Sequence, residues 1–524
     1  MNNFDKIWMK RTTLLIAAVL ILCSWNNPLT YTDIPDNDVI RVGEDYYMVS
    51  TTMYYCPGAP IMHSRDLVHW EIVNYIYDCL EDNDIYNLHG GLNAYGKGQW
   101  ATSLRYNDGK YYALFIANER PGNSYLFTTD DIRHGKWTRT TLPLTMHDAS
   151  LLFDGDGRLY SIYGNGDLYI TELEPDGSSL KKDGINRLLL RTPSEGYMLR
   201  AEGAHFYHIG DYYYILVIDW PRNGVRTETC WRSKNLLGPY ESRTVLQGAF
   251  DGRRDGVAQG AIVDTPDGDW YAIMFQDHGA VGRIPTLQRV SWEDGWPVMG
   301  NGGVPEKTFA HGLKLRGKDY VWDSDEFRGK VLKPVWQWNH KPLDGCWSLT
   351  ERPGWLRLTT GQKATSIMDA RNSLTQRTVG PMSRTETLLD ASGLREGDYA
   401  GICAFQSHNC CIGIQAGPSG ERWVVVRETH PEGRRKWKTS DVYRAKADAE
   451  KVYLGIDYDF TADKAVFSYS FDGRKWTSVN HTLDMKFTLD LFTGYRSALF
   501  CYSTAGTGGH ADFDWFHQRA TGSE

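Results

Sequence analysis

A repeated β-hairpin pattern constrains the fold of the first half of this chain more than any other feature. In five places a glycine turn is flanked by strand-forming residues: 43–47, 108–112, 156–160, 209–213 and 267–271. Each copy ends in a tyrosine, and successive tyrosines lie 65, 48, 53 and 58 residues apart. Such periods, with several short strands each, are typical of β-propeller blades. Isolated Gly-Asp turns occur in any β protein, but five spaced copies predict five blades.

The repeat ends after Trp296-Pro297, and a different pattern follows from about residue 318. Short alternating stretches such as 355–358 and 466–469 are separated by turns such as Asp472-Gly473. This pattern favours a second all-β domain of the sandwich type. We therefore predict an all-β chain with a five-bladed β-propeller over 26–315 and a β-sandwich over 318–524.

The N-terminus is typical of an export signal over residues 1–25. Lys10 and Arg11 precede an apolar run, 14–22, that is too short to span a bilayer as a helix. Cys23 follows and could carry a lipid, although Leu22 is bulky where a signal peptidase favours a small residue. The predicted location is periplasmic, secreted or lipid-anchored, and no other segment is predicted to span a membrane.

The overall composition excludes some classes of partner. The net charge is −8 and no long basic run occurs, which argues against a nucleic-acid partner. None of the nine cysteines forms a CxxC pair or a zinc-site spacing with histidine. One or two disulfides are compatible with export, but the sequence does not assign them.

Acidic residues occur at the same place in three of the five repeats. Counting back ten or eleven residues from the aromatic position of each hairpin gives Asp36, Asp148 and Glu202 in repeats one, three and four. Repeats two and five have the small residues Ala101 and Gly260 there. Because the first strand of a blade lines the central channel, the three acids are expected to converge at one channel mouth.

Three carboxylates around one cavity repel one another, which separates their pKa values. One can then stay protonated as a general acid while another stays ionised to activate water, as glycoside hydrolysis requires. A single acid at a strand start more often caps a turn or binds backbone amides. Three acids in register therefore favour a catalytic role.

With these residues in place, the chain resembles glycoside hydrolase family 43, the β-xylosidase and α-L-arabinofuranosidase family. The propeller motifs that carry the resemblance are 35–43, 57–61, 147–148, 202–203, 277–283 and 292–297. The C-terminal half is similar to the concanavalin-like β-sandwich of the xylosidase-like members, through 371–377, 397–401 and 512–514. The resemblance implies a five-bladed propeller and inversion of the anomeric centre.

The resemblance also assigns roles by position. Asp36 corresponds to the general base and Glu202 to the general acid. Asp148 corresponds to the third carboxylate, which orients the acid and raises its pKa, and Arg283 to a residue that contacts substrate. One departure is Asn37, where family members often have a proline that would fix φ beside the base.

Further residues are candidates for substrate or metal contacts. Trp100 is expected to stack on a sugar, or else to pack between blades, and Tyr55, with its neighbour Tyr54, to wall the pocket. His278 is expected in the channel, near substrate, a calcium ion or water. The metal content is open, but Asp512 and Asp514 could help to bind a structural calcium in the sandwich.

The resulting prediction is an inverting exo-acting hydrolase that releases terminal xylose or arabinofuranose from plant xylan, arabinoxylan or arabinan. Its chemistry requires no cofactor, and the expected partner is an oligosaccharide or polysaccharide. An endo-arabinanase of the same fold and a non-catalytic carbohydrate-binding propeller are the alternatives. The sequence leaves the choice of pentose, the linkage and the oligomeric state open.

Overall fold

A computed structural model describes residues 24–118, 121–433 and 436–522. The predicted export segment, apart from Ser24 and Trp25, lies outside the described residues, as does Cys23. Within these ranges no helix is both long and apolar enough to cross a membrane. Three one-turn 3-10 helices interrupt the strands of the described chain, at Gly279–Val281, Ile367–Asp369 and Pro418–Gly420.

The first part of the described chain forms five four-stranded antiparallel sheets, which confirms the predicted propeller. A short strand, β1 (Ser24–Asn26), precedes them. Blade one contains β2 (Asp38–Val42), β3 (Asp45–Val49), β4 (Gly58–Ser64) and β5 (Glu71–Tyr77). Blade two contains β6 (Ser103–Asn107), β7 (Lys110–Phe115), β8 (Ser124–Thr129) and β9 (Thr138–Leu142).

The remaining three blades follow the same meander. Blade three contains β10 (Ser150–Phe153), β11 (Leu159–Asn165), β12 (Asp167–Leu173) and β13 (Asn186–Arg191). Blade four contains β14 (Tyr197–Ile209), β15 (Tyr212–Pro221), β16 (Thr227–Ser233) and β17 (Glu241–Gln247). Blade five contains β18 (Ala258–Asp264), β19 (Trp270–Asp277), β20 (Arg283–Glu293) and β21 (Trp296–Met299).

The repeated hairpin turns lie between the first two strands of each blade, as the sequence predicts. In blade one, for example, Val42 pairs with Asp45 across the turn at Gly43. Gly43 adopts a φ of 64°, which glycine accepts without steric cost. Each blade is built from four consecutive strands, so the ring closes through side chains rather than through a shared sheet. Arg41 of blade one and Asp264 of blade five form one such contact, at 2.5 Å.

The connection to the second domain returns to the N-terminus. Strand β22 (Thr308–Ala310) pairs with β1 in a separate two-stranded sheet. The disulfide that the sequence left unassigned joins Cys56 and Cys79 in blade one.

The C-terminal part is a sandwich of two seven-stranded antiparallel sheets, again as predicted. Its strands in chain order are β23 (Gln337–Trp338), β24 (Trp347–Ser348), β25 (Leu356–Thr359), β26 (Leu374–Arg377), β27 (Met382–Asp390), β28 (Asp398–Phe405), β29 (Asn409–Ala416), β30 (Arg422–Pro431), β31 (Trp437–Lys446), β32 (Lys451–Asp459), β33 (Lys464–Ser470), β34 (Thr477–Asp484), β35 (Arg496–Ser503) and β36 (His510–Ala520). The first sheet has the order β23-β26-β35-β28-β29-β30-β31, and the second β24-β25-β36-β27-β32-β33-β34.

The two domains share one apolar cluster. It joins Tyr54 and Tyr95 of the propeller to residues of the sandwich such as Trp338 and Tyr399, all of them buried. The propeller segment just before blade one also contacts the sandwich through hydrogen bonds. The hydroxyl of Thr32 donates to the carbonyl of Thr378 at 2.6 Å. These contacts join the sandwich to the propeller.

Candidate active site

Two of the three predicted carboxylates occupy equivalent backbone positions. Asp36 lies two residues before β2, and Asp148 lies two residues before β10. Both adopt left-handed conformations, with φ of 50° and 48°. Aspartate tolerates this region better than most residues do, and such conformations are concentrated at functional sites.

Glu202 is displaced by one residue from the position that the sequence predicts. Equivalent positions follow from side chains that accept the backbone N–H of the next blade: Ser103 from Leu151, and Ser150 from Phe206. By this register Gly203, with a φ of 64°, is the counterpart of Asp36 and Asp148. Strand β14 carries register irregularities on both sides of Glu202. A β-bulge of this kind redirects a side chain, and counting residues back from the hairpin cannot detect it.

Asp36 is held by a buried arginine. Nη1 of Arg283 donates to Oδ1 of Asp36 at 2.6 Å, and both side chains are about nine-tenths buried. The guanidinium also lies beside Asp277, with Nε 3.5 Å from Oδ1. One oxygen of Asp36 is therefore fixed by a charge-assisted bond, while Oδ2 remains for a water molecule.

Asp148 is buried among charged groups. Burial raises the pKa of Asp148 to about 7; the negative charges of Glu202 and Asp36 add to this effect, and His147 opposes it. Burial alone would lower the pKa of His147, but its hydrogen bond to Glu202 and the nearby carboxylates raise it to about 9. Both groups can therefore hold protons near neutral pH.

Glu202 lies in one cluster with His147 and Asp148 and is the most accessible of the three acids. Its side chain is 22% exposed, against 8% for each of Asp36 and Asp148. Oε2 lies 3.5 Å from Nε2 of His147 and accepts a hydrogen bond from the amide of Asn165. The cluster thus brings Glu202 within reach of both a proton source and solvent.

The sandwich contributes an aromatic side chain to the same site. Phe492 stacks on Trp100 with ring centroids 5.4 Å apart and planes 18° from parallel. The guanidinium of Arg283 lies 4.5 Å from the centre of the Phe492 ring. Trp100 also lies beside His147, at 6.1 Å between centroids. Trp100 thus packs against Phe492 of the sandwich beside His147, and its predicted stacking on a sugar stays a prediction.

A buried aspartate links Arg283 to the sandwich loop that carries Phe492. Oδ1 of Asp33 accepts the backbone N–H of Arg283 at 2.7 Å, and Oδ2 accepts that of Gly494 at 2.9 Å. One carboxylate thus sets the positions of Arg283 and of the loop that carries Phe492.

Two predicted substrate contacts, Tyr55 and His278, are buried side chains in the structure. Tyr55 has no exposed surface, and the guanidinium of Arg496 lies 3.8 Å from its ring centre. His278 is 5% exposed, and its Nδ1 lies 3.2 Å from the hydroxyl of Tyr31. Tyr55 is covered by a sandwich residue and His278 by the segment that precedes blade one, and single-sequence patterns do not reveal such long-range contacts.

The small cavity beside Asp36 and Asp148 is lined by polar residues other than Tyr55 and His278. His205 and Gln259 both line this small cavity. Gln259 has a φ of 60°, so blade five repeats the left-handed residue of blades one, three and four. Nδ1 of His205 lies 3.1 Å from the carbonyl of Gly203, to which it can donate.

Asp512, one of the two predicted calcium ligands, is paired with arginines in the structure. Two arginines donate hydrogen bonds to Asp512: Nε of Arg357 lies 2.8 Å from Oδ1, and Nη1 of Arg352 lies 2.9 Å from Oδ2. These guanidinium groups already supply the positive charge that a metal would bring. Asp514 lies two residues later on β36, and calcium binding by this pair stays a prediction.

His147, Asn165, Asp33, Gln259 and Phe492 were missed as site residues. Only His147 carried a signal, because it is adjacent to Asp148. Phe492 is separated from Glu202 by 290 residues and belongs to the other domain. Its role follows from how the domains dock.

Comparisons with known proteins agree with this geometry. Residues 25–297 match the glycosyl hydrolases family 43, and 324–519 match the beta-xylosidase C-terminal concanavalin A-like domain. The chain is 28% identical to a beta-xylosidase of Formosa agariphila, over 94% of this chain and 89% of that protein. It is 27% identical to a non-reducing end alpha-L-arabinofuranosidase of Bacteroides ovatus, over 98% and 97%.

A solved structure extends the comparison. A bifunctional GH43-CE protein of Bacteroides eggerthii superposes with a TM-score of 0.87 and 42% identity. The match covers 95% of this chain but 64% of that protein, so the chain spans under two thirds of its length. Taken with the propeller and its carboxylates, these matches show that the chain belongs to glycoside hydrolase family 43, whose members hydrolyse glycosidic bonds.

Proposed function

We propose that the protein is an inverting exo-glycosidase that releases terminal xylose or arabinofuranose from plant hemicellulose. The observation that carries this proposal is a carboxylate pair, Asp36 and Glu202, at a channel mouth bounded by Phe492. The named activities of the relatives, β-xylosidase and non-reducing-end α-L-arabinofuranosidase, support a pentose as the released sugar.

Asp36 acts as the general base. Because Arg283 binds Oδ1, the carboxylate is oriented and Oδ2 is left to accept a proton from water. The water then attacks the anomeric carbon from the face opposite to the leaving group. Inversion requires roughly 6.5–9.5 Å between the two carboxyl groups, enough room for this water.

Glu202 acts as the general acid. It gives a proton to the glycosidic oxygen, and its accessible position suits a bond that enters from solvent. Asp148 and His147, whose pKa values are raised to about 7 and about 9, keep protons within the cluster between turnovers. Asp148 thereby serves as the orienting carboxylate rather than as a reacting one.

The stacked side chains of Phe492 and Trp100 support cleavage at the chain end of a substrate. Phe492 projects from the sandwich over Arg283 and against Trp100, so one side of the channel mouth is occupied by the second domain. A terminal sugar fits against such a wall, whereas a polymer that binds along an open groove needs both sides free.

The test uses purified full-length protein on nitrophenyl β-xyloside, nitrophenyl α-arabinofuranoside and a long arabinan. We expect hydrolysis of at least one pentoside and release of monosaccharide from the polymer's ends. Proton NMR of the first-formed sugar should show the inverted anomer. Retention of configuration would contradict Asp36 as a base, and internal cleavage of arabinan would identify an endo-acting enzyme.

The proposed location is outside the cytoplasm. The apolar run 14–22 supports it, as does the Cys56–Cys79 disulfide, because disulfides persist in oxidising compartments. Fractionation of the native host, with antibody detection, would locate the protein, and a cytoplasmic signal would contradict the proposal.

A further inference from the structure

Three histidines surround one buried glutamate in the sandwich, outside the proposed active site. Glu428 and His430 lie two residues apart on β30, so their side chains share a face. His408 directly precedes β29, which pairs with β30, and its ring stacks on that of His430 at 4.4 Å. His481 comes from β34 of the other sheet.

The cluster lies between the two sheets. The register partners of Glu428 across the first sheet, which share its face, are Cys410, Ala404 and Ser497. The hydroxyl of Ser497 bonds with those of Thr385 and Tyr458 on the second sheet. This face is therefore the inner one, and Glu428 points toward β34.

His408, Glu428 and His430 lie close enough together to share one small metal ion, and His481 lies beside the same glutamate. Nε2 of His430 and Nε2 of His481 lie 3.3 Å and 3.2 Å from the same oxygen, Oε2 of Glu428. Bonds of about 2.0–2.1 Å in a tetrahedron place ligand atoms about 3.3 Å apart. Nε2 of His408 lies 2.8 Å from Oε1, and its nitrogen, that of His430 and an oxygen of Glu428 lie within 4.8 Å of one another.

One nitrogen of the cluster lacks a hydrogen bond of acceptable geometry. Nε2 of His481 is buried and has no hydrogen-bond partner among the described residues, although Glu428 is 3.2 Å away. A buried nitrogen left in this way is costly, whereas coordination of a metal would satisfy it.

We propose that His408, Glu428 and His430 bind a divalent transition-metal ion, with zinc favoured, and that His481, whose Nε2 lies 3.2 Å from Oε2 of Glu428, completes the set. Imidazole nitrogens and a single carboxylate suit zinc and not calcium, which prefers oxygen ligands. The bound ion would join β30 to β34 and so fasten one sheet of the sandwich to the other. His430, whose side chain is 52% exposed, provides the entry path.

The test is metal binding by the full chain after treatment with a chelator and dialysis. We expect about one equivalent of Zn²⁺ to bind by calorimetry, a rise in Tm on adding zinc, and the intense visible absorption of tetrahedral Co²⁺. His481→Gln and the half-exposed His430→Gln should each weaken Zn²⁺ binding at least tenfold and abolish the Tm rise. Hydrolysis of nitrophenyl pentosides at a temperature well below Tm should be equal with and without zinc.

His517→Gln is the matched control, because His517 pairs with Glu326 at 2.6 Å on the same domain. It should bind zinc as the native chain does. The proposal is overturned if the native protein binds no zinc, or if His430→Gln and His481→Gln both bind it normally. Binding that is lost only on His147→Gln would place the ion among the catalytic carboxylates and would also overturn the proposal.

Discussion

The channel of the propeller and the interior of the sandwich both bury aspartates, but the pKa values of Asp148 and Asp512 shift in opposite directions. In the channel, Arg283 is paired with Asp36, and His147 lies 3.7 Å from Asp148 and 3.5 Å from Glu202. In the sandwich, Asp390 and Asp512 are bound by Arg352, and Arg357 adds a two-point contact to Asp512.

The pKa values record this difference in charge balance. Burial raises the pKa of Asp148 to about 7, and its partners do not compensate. Burial acts in the same direction on Asp512, but the hydrogen bonds from Arg357 and Arg352 outweigh it and lower the pKa. Asp512, bound by two arginines, stays ionised, whereas Asp148, placed beside two other carboxylates, can hold a proton near neutral pH.

The largest effect is expected from Glu202→Gln. Loss of the general acid should reduce kcat/KM on natural oligosaccharides by about 10²–10⁴-fold, with less loss on nitrophenyl substrates whose leaving groups need little protonation. Glu195→Gln, an exposed change seven residues earlier, is the control and should retain full activity. Equal activity of Glu202→Gln and the control would remove the channel acids from the mechanism.

Asp148→Asn should lower kcat by roughly tenfold or more while stabilising the fold. The pKa of Asp148 is about 7 in the folded protein, against an ordinary value of 3.8. The free energy of unfolding therefore falls as the pH rises between these two values, because the carboxyl group ionises first in the unfolded chain. His147 is protonated in both states below about pH 6.5 and does not contribute in that range.

The free energy of unfolding of the Asn variant, relative to the native chain, should therefore increase from pH 4 to 6.5. The expected gain is on the order of 2–3 kcal/mol. Urea titrations at both pH values measure it. A difference that stays constant with pH would mean that Asp148 is ionised as readily as Asp512.

Phe492→Ala should raise KM for pentosides by about two- to tenfold, since an aromatic contact contributes about 0.5–1.5 kcal/mol. Phe492→Tyr keeps the ring and should restore the native KM. If the alanine variant has native kinetics and releases the same products from arabinan, the sandwich does not shape the site.

Asp512→Asn should leave kcat and KM unchanged and lower the free energy of unfolding by about 2 kcal/mol. This is less than the 3–5 kcal/mol of a fully buried pair, because the side chains of Arg352 and Arg357 are 30% and 21% exposed. Thermal unfolding and pentoside assays on one preparation test both parts. A loss of activity without loss of stability would reverse the comparison between the two domains.

The sequence alone determined the features that depend on local pattern. Five hairpins such as 43–47 predicted five blades, because turn chemistry and strand alternation are set by neighbouring residues. The same count back from each hairpin identified Asp36 and Asp148, whose backbones are equivalent in the structure. Glu202 was found too, although the bulge in β14 moves it by one position.

Only the tertiary structure decided what depends on the docking of the two domains. It buried Tyr55 under Arg496 and placed Phe492 against Trp100. These contacts join residues that are far apart in the chain. Local propensity does not encode such contacts, because they form only when two complete sheets and a propeller pack together.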